Sequence, residues 1–200
     1  MSEKYELEDS LAVKYPQEVN YLNQRIKGLQ ADIKQYNTHK LGEDEFKMTV
    51  KGQDFTEKKE AGEEIVKACR LLVTPDPVDL GFYQGFQMSL SYDSFAKEHR
   101  ITLKHELPHV VWAGSDPFGN ITRLNNLLDG LEDNLEQAQN NLQEIQKQIE
   151  VGKLEVNKPW PKEDELKEKT ERLSELNALL NVENKTMDEM KEKQKDDFER

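Results

Sequence analysis

Cysteine is almost absent from this chain: Cys69 stands alone among 200 residues, so no internal disulfide can staple a small core. Long apolar runs are missing as well. No stretch approaches the ~20 apolar residues of a membrane-spanning helix. The first residues, MSEKYELEDS, lack a basic start followed by an apolar segment, so no secretory signal is expected. Positive charge is outweighed: 28 Lys and Arg against 40 Asp and Glu leave a formal charge of −12. That balance excludes a protein that grips nucleic acid over its whole surface, because phosphate binding needs clustered cations to release counterions. A local basic patch stays open. The chain reads as soluble and cytoplasmic.

Only 35% of residues are hydrophobic and 34% are charged, which favours shapes with much surface per volume, such as paired long helices. After Pro16, a residue suited to a first helical turn, Val19, Leu22, Ile26, Leu29, Ile33 and Tyr36 recur at alternating spacings of three and four. This is the pattern of a coiled-coil seam, with Arg25, Lys27, Asp32 and Lys34 off it. Residues 38–45 break the pattern and read as a connection.

From Phe46 the period becomes two. Phe46, Met48 and Val50 alternate with polar neighbours, Lys51-Gly52 supplies a turn, and Gln53-Asp54-Phe55 returns, predicting a small hairpin. Thr56 is placed to cap a helix whose Ile65, Cys69 and Leu72 share a face, and Pro75 and Pro77 end it. Phe86, Met88, Leu90 and Tyr92, then Ile101 and Leu103, alternate with polar residues, and Val110, Val111 and Trp112 add a third strand after Pro108. An antiparallel meander under the 56–72 helix is the simplest arrangement. Asn120 is placed to cap a further helix, in which Ile121, Leu124, Leu128, Leu131, Leu135, Ala138, Leu142, Ile145 and Ile149 keep the three-four alternation past Gly130. After Lys158-Pro159-Trp160-Pro161, the acids Glu163, Asp164 and Glu165 open another helix striped by Leu166, Leu173, Leu176 and Leu180. A short connection makes these two helices antiparallel neighbours.

The expected fold class is therefore α+β: a small antiparallel β meander with a covering helix, plus long antiparallel coiled-coil helices. The expected parts are an N-terminal coiled-coil helix (1–40), a small α+β domain (41–117), an antiparallel helical hairpin (118–183) and a charged tail, frayed or disordered (184–200).

His105-Glu106-Leu107-Pro108-His109 matches HExxH, the zinc-protease pattern that needs two imidazoles one helical turn apart and a glutamate beside metal-bound water. Pro108 and the break between strands oppose the required helix, so a β-turn with surface histidines is the competing reading, and no metal or other cofactor is expected. Cys69 reads as a buried hydrophobe more readily than as a nucleophile. Phe82, Tyr83, Phe86, Tyr92 and Phe95 are either core or a base-stacking cluster. Lys97, Arg100 and Lys104, joined by His99 and His105, form the one local basic surplus and are the candidate nucleic-acid contacts, with a solvated sheet face as the alternative. Residues 124–146 hold no Lys or Arg, and Asp129, Glu132, Asp133 and Glu136 form a candidate acidic face for a basic partner.

Five blocks carry a resemblance: LAVKYPQEV, VKGQDFTEKKEAGEEIVKACR, GFYQGFQMSLSYDSFAKEHRITLK, FGNITRLNNLLDGLEDNL and KPWPKEDELKEKTERLSELNALLN. In this order and spacing, over about residues 8–182, the chain resembles the C-terminal accessory region of large conjugative-element proteins. Those proteins join an SNF2-like helicase to an N-6 adenine DNA methyltransferase. The chain itself holds no GxxxxGK(S/T) loop, no DEAH-like box and no DPPY-like motif, so the resemblance implies a context and no catalytic residue. It implies a non-catalytic accessory module of a mobile-element DNA-processing system, acting on DNA or a DNA-processing protein. The alternative is a free-standing acidic inhibitor of a host defence nuclease, of the anti-restriction or anti-CRISPR type. Pairing of the striped helices between two copies, giving a homodimer, is open.

Overall fold

The computed structural model describes residues 2–42, 45–158 and 164–180. Two compact units are present, Met1–Lys153 and Leu154–Arg200.

The first unit is α+β. Its helical start precedes the expected one: α1 (Ser2–Asp9) leads through a π-helical stretch, Ser10–Lys14, into α2 (Tyr15–His39). Pro16 explains the widened turn. It has no N–H and its ring crowds the carbonyl four residues back, and just before it the Tyr15 N–H bonds to the Ser10 carbonyl, five residues away.

Strands β1 (Met48–Val50) and β2 (Gln53–Phe55) form the expected hairpin, turning through Lys51 and Gly52, both at positive φ. Helix α3 (Lys58–Leu71) follows, but Glu57 stands at its N-cap and Thr56 makes no cap. Then come β3 (Val78–Tyr83), β4 (Phe86–Asp93), β5 (Glu98–Lys104) and β6 (Pro108–Ala113). The six strands make one antiparallel sheet in the order β2-β1-β3-β4-β5-β6. The strand missing from the sequence reading is β3. It joins the hairpin to the meander, and a register shift between Asp79 and Gly81 interrupts its alternation.

Helix α4 (Pro117–Asp129) is capped by Asp116, whose Oδ2 accepts the Gly119 N–H at 2.8 Å. Asn120 does not cap; it is buried and exchanges hydrogen bonds with both backbone groups of Gly114, pinning the end of β6 to α4. At Gly130 the expected single rod breaks, and α5 (Leu131–Val156) begins.

The core lies between one sheet face and the helices. Met48, Leu80, Phe86, Met88, Leu90, Ile101 and Leu103 meet Ile65 and Cys69 of α3, Ile121, Leu124 and Leu128 of α4, Leu29 and Tyr36 of α2, and Leu131 of α5. Helix α5 runs antiparallel to the N-terminal helices: Tyr36 reaches Asp129 just before it, and Gly152 lies against Leu7 and Leu11. The stripe of α2 is not spent on a helix partner alone. Gly28 faces the β5–β6 turn, where a Cβ would stand 2.6 Å from Leu107 Cγ. Burial by several elements thus accounts for the repeat, and a coiled coil is not established.

In the second unit 164–180 is helical, with Leu166, Leu173, Leu176 and Leu180 exposed. Most of the expected turn around Pro159-Trp160-Pro161 and the whole charged tail 184–200 lie outside the described residues. Among the described residues no helix is long and apolar enough to cross a membrane.

Gly28→Ala gains about 1 kcal/mol of helix propensity. The clash with Leu107 costs about 1–3 kcal/mol and wins. Denaturant unfolding is expected to show Gly28→Ala less stable than wild type. Leu107→Ala in the same chain should remove most of that loss, a non-additivity of at least ~0.5 kcal/mol.

Candidate functional site

Two surfaces follow from the sequence candidates: the β5–β6 turn with its histidines, and the sheet face turned away from the helices.

At the turn, the structure gathers His105 and His109 around Asp32, which is 0% exposed. Asp32 Oδ1 accepts from His105 Nδ1 at 2.9 Å and from the Glu106 N–H at 2.8 Å. Its Oδ2 accepts from the Leu107 N–H at 3.1 Å and from His109 Nε2 at 2.8 Å. Each carboxylate oxygen thus has two donors, which fills its capacity. An ionised carboxylate only accepts, so hydrogen sits on His105 Nδ1 and His109 Nε2. Both rings stand edge-on to the buried Phe86, at 6.2 and 6.1 Å between centroids. Gly28, one helical turn before Asp32, admits Leu107, so α2 receives the turn through a small residue and an acceptor on one face.

This corrects two expectations. Asp32, off the stripe, is interior, and only one of the two histidines is a surface residue: the His105 side chain is 34% exposed and the His109 side chain 9%. The HExxH segment is a turn running into β6, so its imidazoles lack the helical spacing zinc chemistry requires. Among the described residues no group of three His, Cys, Asp or Glu is placed to hold a metal. Burial alone pushes the Asp32 carboxyl up. Hydrogen bonds from His109, the Glu106 amide, His105 and the Leu107 amide together outweigh it and hold the carboxyl below the ordinary aspartate range.

The open sheet face carries Phe82 on β3, Gln87, Ser89 and Ser91 on β4, Arg100, Thr102 and Lys104 on β5, and Val110 and Trp112 on β6. Phe82 and Trp112 are 55% and 44% exposed. The Arg100 guanidinium lies 5.1 Å from the Trp112 ring centroid and pairs with Asp93. That ion pair, after two backbone amide bonds from the loop, helps hold the Asp93 carboxyl below its usual range.

The three candidate basic residues do not converge. Lys97 sits at positive φ in the β4–β5 loop, and Lys104 ends β5, roughly 20 Å away along the strand. His99 points to the other face, where its Nε2–H donates to the Leu72 carbonyl at 2.8 Å. His105 is engaged with Asp32. The aromatic cluster also divides: Tyr83 and Phe86 are core, Tyr92 meets His99 in a tilted contact with 4.9 Å between centroids, and Phe82 and Phe95 are exposed.

Asp129 is exposed but engaged: it accepts from Tyr36 Oη at 2.7 Å and pairs with Lys40 at 3.4 Å. Burial and this bond push the Tyr36 hydroxyl pKa up. Glu132, Asp133 and Glu136 remain exposed on α5. Cys69 is buried and its thiol is pushed up to about 11 by desolvation, so it stays protonated near neutral pH.

No protein-family model, curated protein or solved structure matches the chain.

A carboxylate whose pKa is lowered on folding adds stability above its unfolded value, near 3.8, and loses it as pH falls through the lowered folded value. Asp32→Asn should destabilise the fold at neutral pH by about 3 kcal/mol, because an amide cannot accept all four donors. In urea unfolding across pH, wild type's advantage over Asp32→Asn should shrink once the pH drops below about 4.

Proposed function

We propose that this chain is a non-catalytic accessory module of a mobile-element, helicase-type DNA-processing system, and that it contacts single-stranded DNA through the open sheet face. The observation that carries the reading is the pairing of two exposed aromatics, Phe82 and Trp112, with Arg100 and Lys104 on that face. Bases stack on aromatic rings whatever their sequence, and a few cations track the backbone. Small hydroxyl side chains, Ser89, Ser91 and Thr102, lie between the rings and leave room for a flat ligand. The resemblance to helicase-associated regions supports the context. The −12 charge limits the contact to this face and makes it weak on its own, as suits a part that positions a larger machine.

A second reading, an acidic inhibitor of a host defence nuclease, draws on Glu132, Asp133 and Glu136, which form no ion pair among the described residues. With Asp129 tied to Lys40, three carboxylates remain, a small footprint for a phosphate mimic.

Binding to an oligothymidine strand should weaken with salt with a log–log slope of about −2, as two or three phosphate contacts give. Trp112→Ala should lose about 1–3 kcal/mol of affinity. Lys104→Glu should flatten the salt slope. Absence of binding to single-stranded, duplex and forked DNA alike overturns the reading.

A further inference from the structure

The two edges of the sheet are not alike. Strand β2 has three residues and carries Asp54, whereas β6 has six, PHVVWA, with no Lys, Arg, Asp or Glu. Natural sheets protect edges by shortness, charge, bulges or cover, because unpaired N–H and C=O groups recruit another strand. Beyond Pro108 at its start, β6 has none of these. Among the described residues it pairs with β5 on one side and with no strand on the other.

Beside that free edge runs a groove of about 420 Å³, lined by Val110, Val111, Trp112 and, from α4, Arg123, Asn126 and Leu127. Arg123 is exposed and bonds Asn120 Oδ1 at 3.2 Å; among the described residues it makes no ion pair. It lies against Gly114, at the C-terminal end of β6. Leu127 follows one helical turn later, and helix neighbours four apart stand about 6 Å from each other. Same-face residues of a strand are about 6.8 Å apart. An added strand would therefore set one side chain at Arg123 and the next on its face at Leu127.

We propose that β6 and α4 form a docking groove for an extended segment of a partner protein, which adds antiparallel to β6 as a seventh strand and places an acidic residue at Arg123 and an aliphatic residue, two positions later, at Leu127. Backbone pairing with the free edge supplies affinity, and the side-chain contacts at Arg123 and Leu127 supply selectivity. A second copy of this chain fits less well. Its own β6 would bring no carboxylate to Arg123, leaving two guanidinium groups near one interface. The groove borders the open sheet face, since Val110 and Trp112 line both, but the residues that select the segment, Arg123 and Leu127, belong to α4 and not to that face.

The test uses the full chain and synthetic octapeptides with amidated ends, alternating Thr and Val, in which one Val is replaced by Glu. The expected result is binding of peptides with Glu two positions before Val, and at least tenfold weaker binding of the all-Val and Lys-substituted versions. Arg123→Glu should reverse that preference in favour of Lys. N-methylation of the peptide amides that face β6 should abolish binding, while N-methylation of the alternate amides should leave it intact, and this arm needs no variant of the protein. On binding, β6 amides should gain protection from hydrogen exchange and β2 amides should not. The proposal is overturned by absence of binding at millimolar peptide, by indifference to N-methylation in both registers, or by a preference that Arg123→Glu does not change. It is overturned equally by a wild-type dimer in sedimentation that Val110→Lys converts to monomer, which would give the edge to a second copy.

Discussion

The carboxylate of Asp32 holds α2 to the sheet at the β5–β6 turn, and the packing around that turn depends on it. A carboxylate taken out of water is costly unless every lone pair is met, and here two backbone amides and two imidazoles meet all of them. The same bonds set the shape of the β5–β6 turn, since Glu106 and Leu107 must point their N–H groups toward α2. With the turn fixed, Leu107 fills the space over Gly28 and the histidine rings close over Phe86. A dense apolar contact and a fully paired polar one therefore lie side by side. Apolar contact alone tolerates sliding of one helix along another; a carboxylate with four directed donors does not.

From that anchor, α2 carries Tyr36 to Asp129, at the point where Gly130 interrupts the long C-terminal stripe. The break separates two duties. Helix α4 covers the sheet beside β6, while α5 leaves the sheet and follows the N-terminal helices toward Leu7 and Leu11. Among the described residues, one sheet face is buried by this arrangement, the other stays open with its rings and cations, and the β6 edge beside α4 has no strand partner. The surfaces proposed for binding are thus the ones the described helices leave uncovered.

Much of this was legible in the residues. The period-two runs gave the strands of the meander, Lys51-Gly52 gave the hairpin turn, and Ile65 with Cys69 gave the buried side of α3. The strand β3 was hidden because Gly81 and the register shift beside it interrupt its alternation. Asp32 was misplaced because a helical aspartate is ordinarily solvated, and its partners lie 73 to 77 residues away. One signal was present: Gly28, a poor helix former, stands one turn before Asp32 on the same face, marking a close approach. The HExxH pattern hid the same fact from the other side, since its histidines are spaced as ligands and used as donors. The basic residues of β5 were rightly placed on one strand, but sequence spacing did not reveal that Asp93 and Trp112 engage Arg100.

The distance in sequence between Asp32 and its donors has a consequence for biosynthesis. A ribosome adds about 5–20 residues each second, so the 77 residues from Asp32 to His109 take about 4–15 s to make. Throughout that interval α2 has left the peptidyl-transferase centre with its apolar stripe unmatched and its carboxylate unclasped. It therefore waits for the last strand of the sheet, and a nascent chain stalled before His109 exposes an amphipathic helix to whatever chaperone attends the exit tunnel.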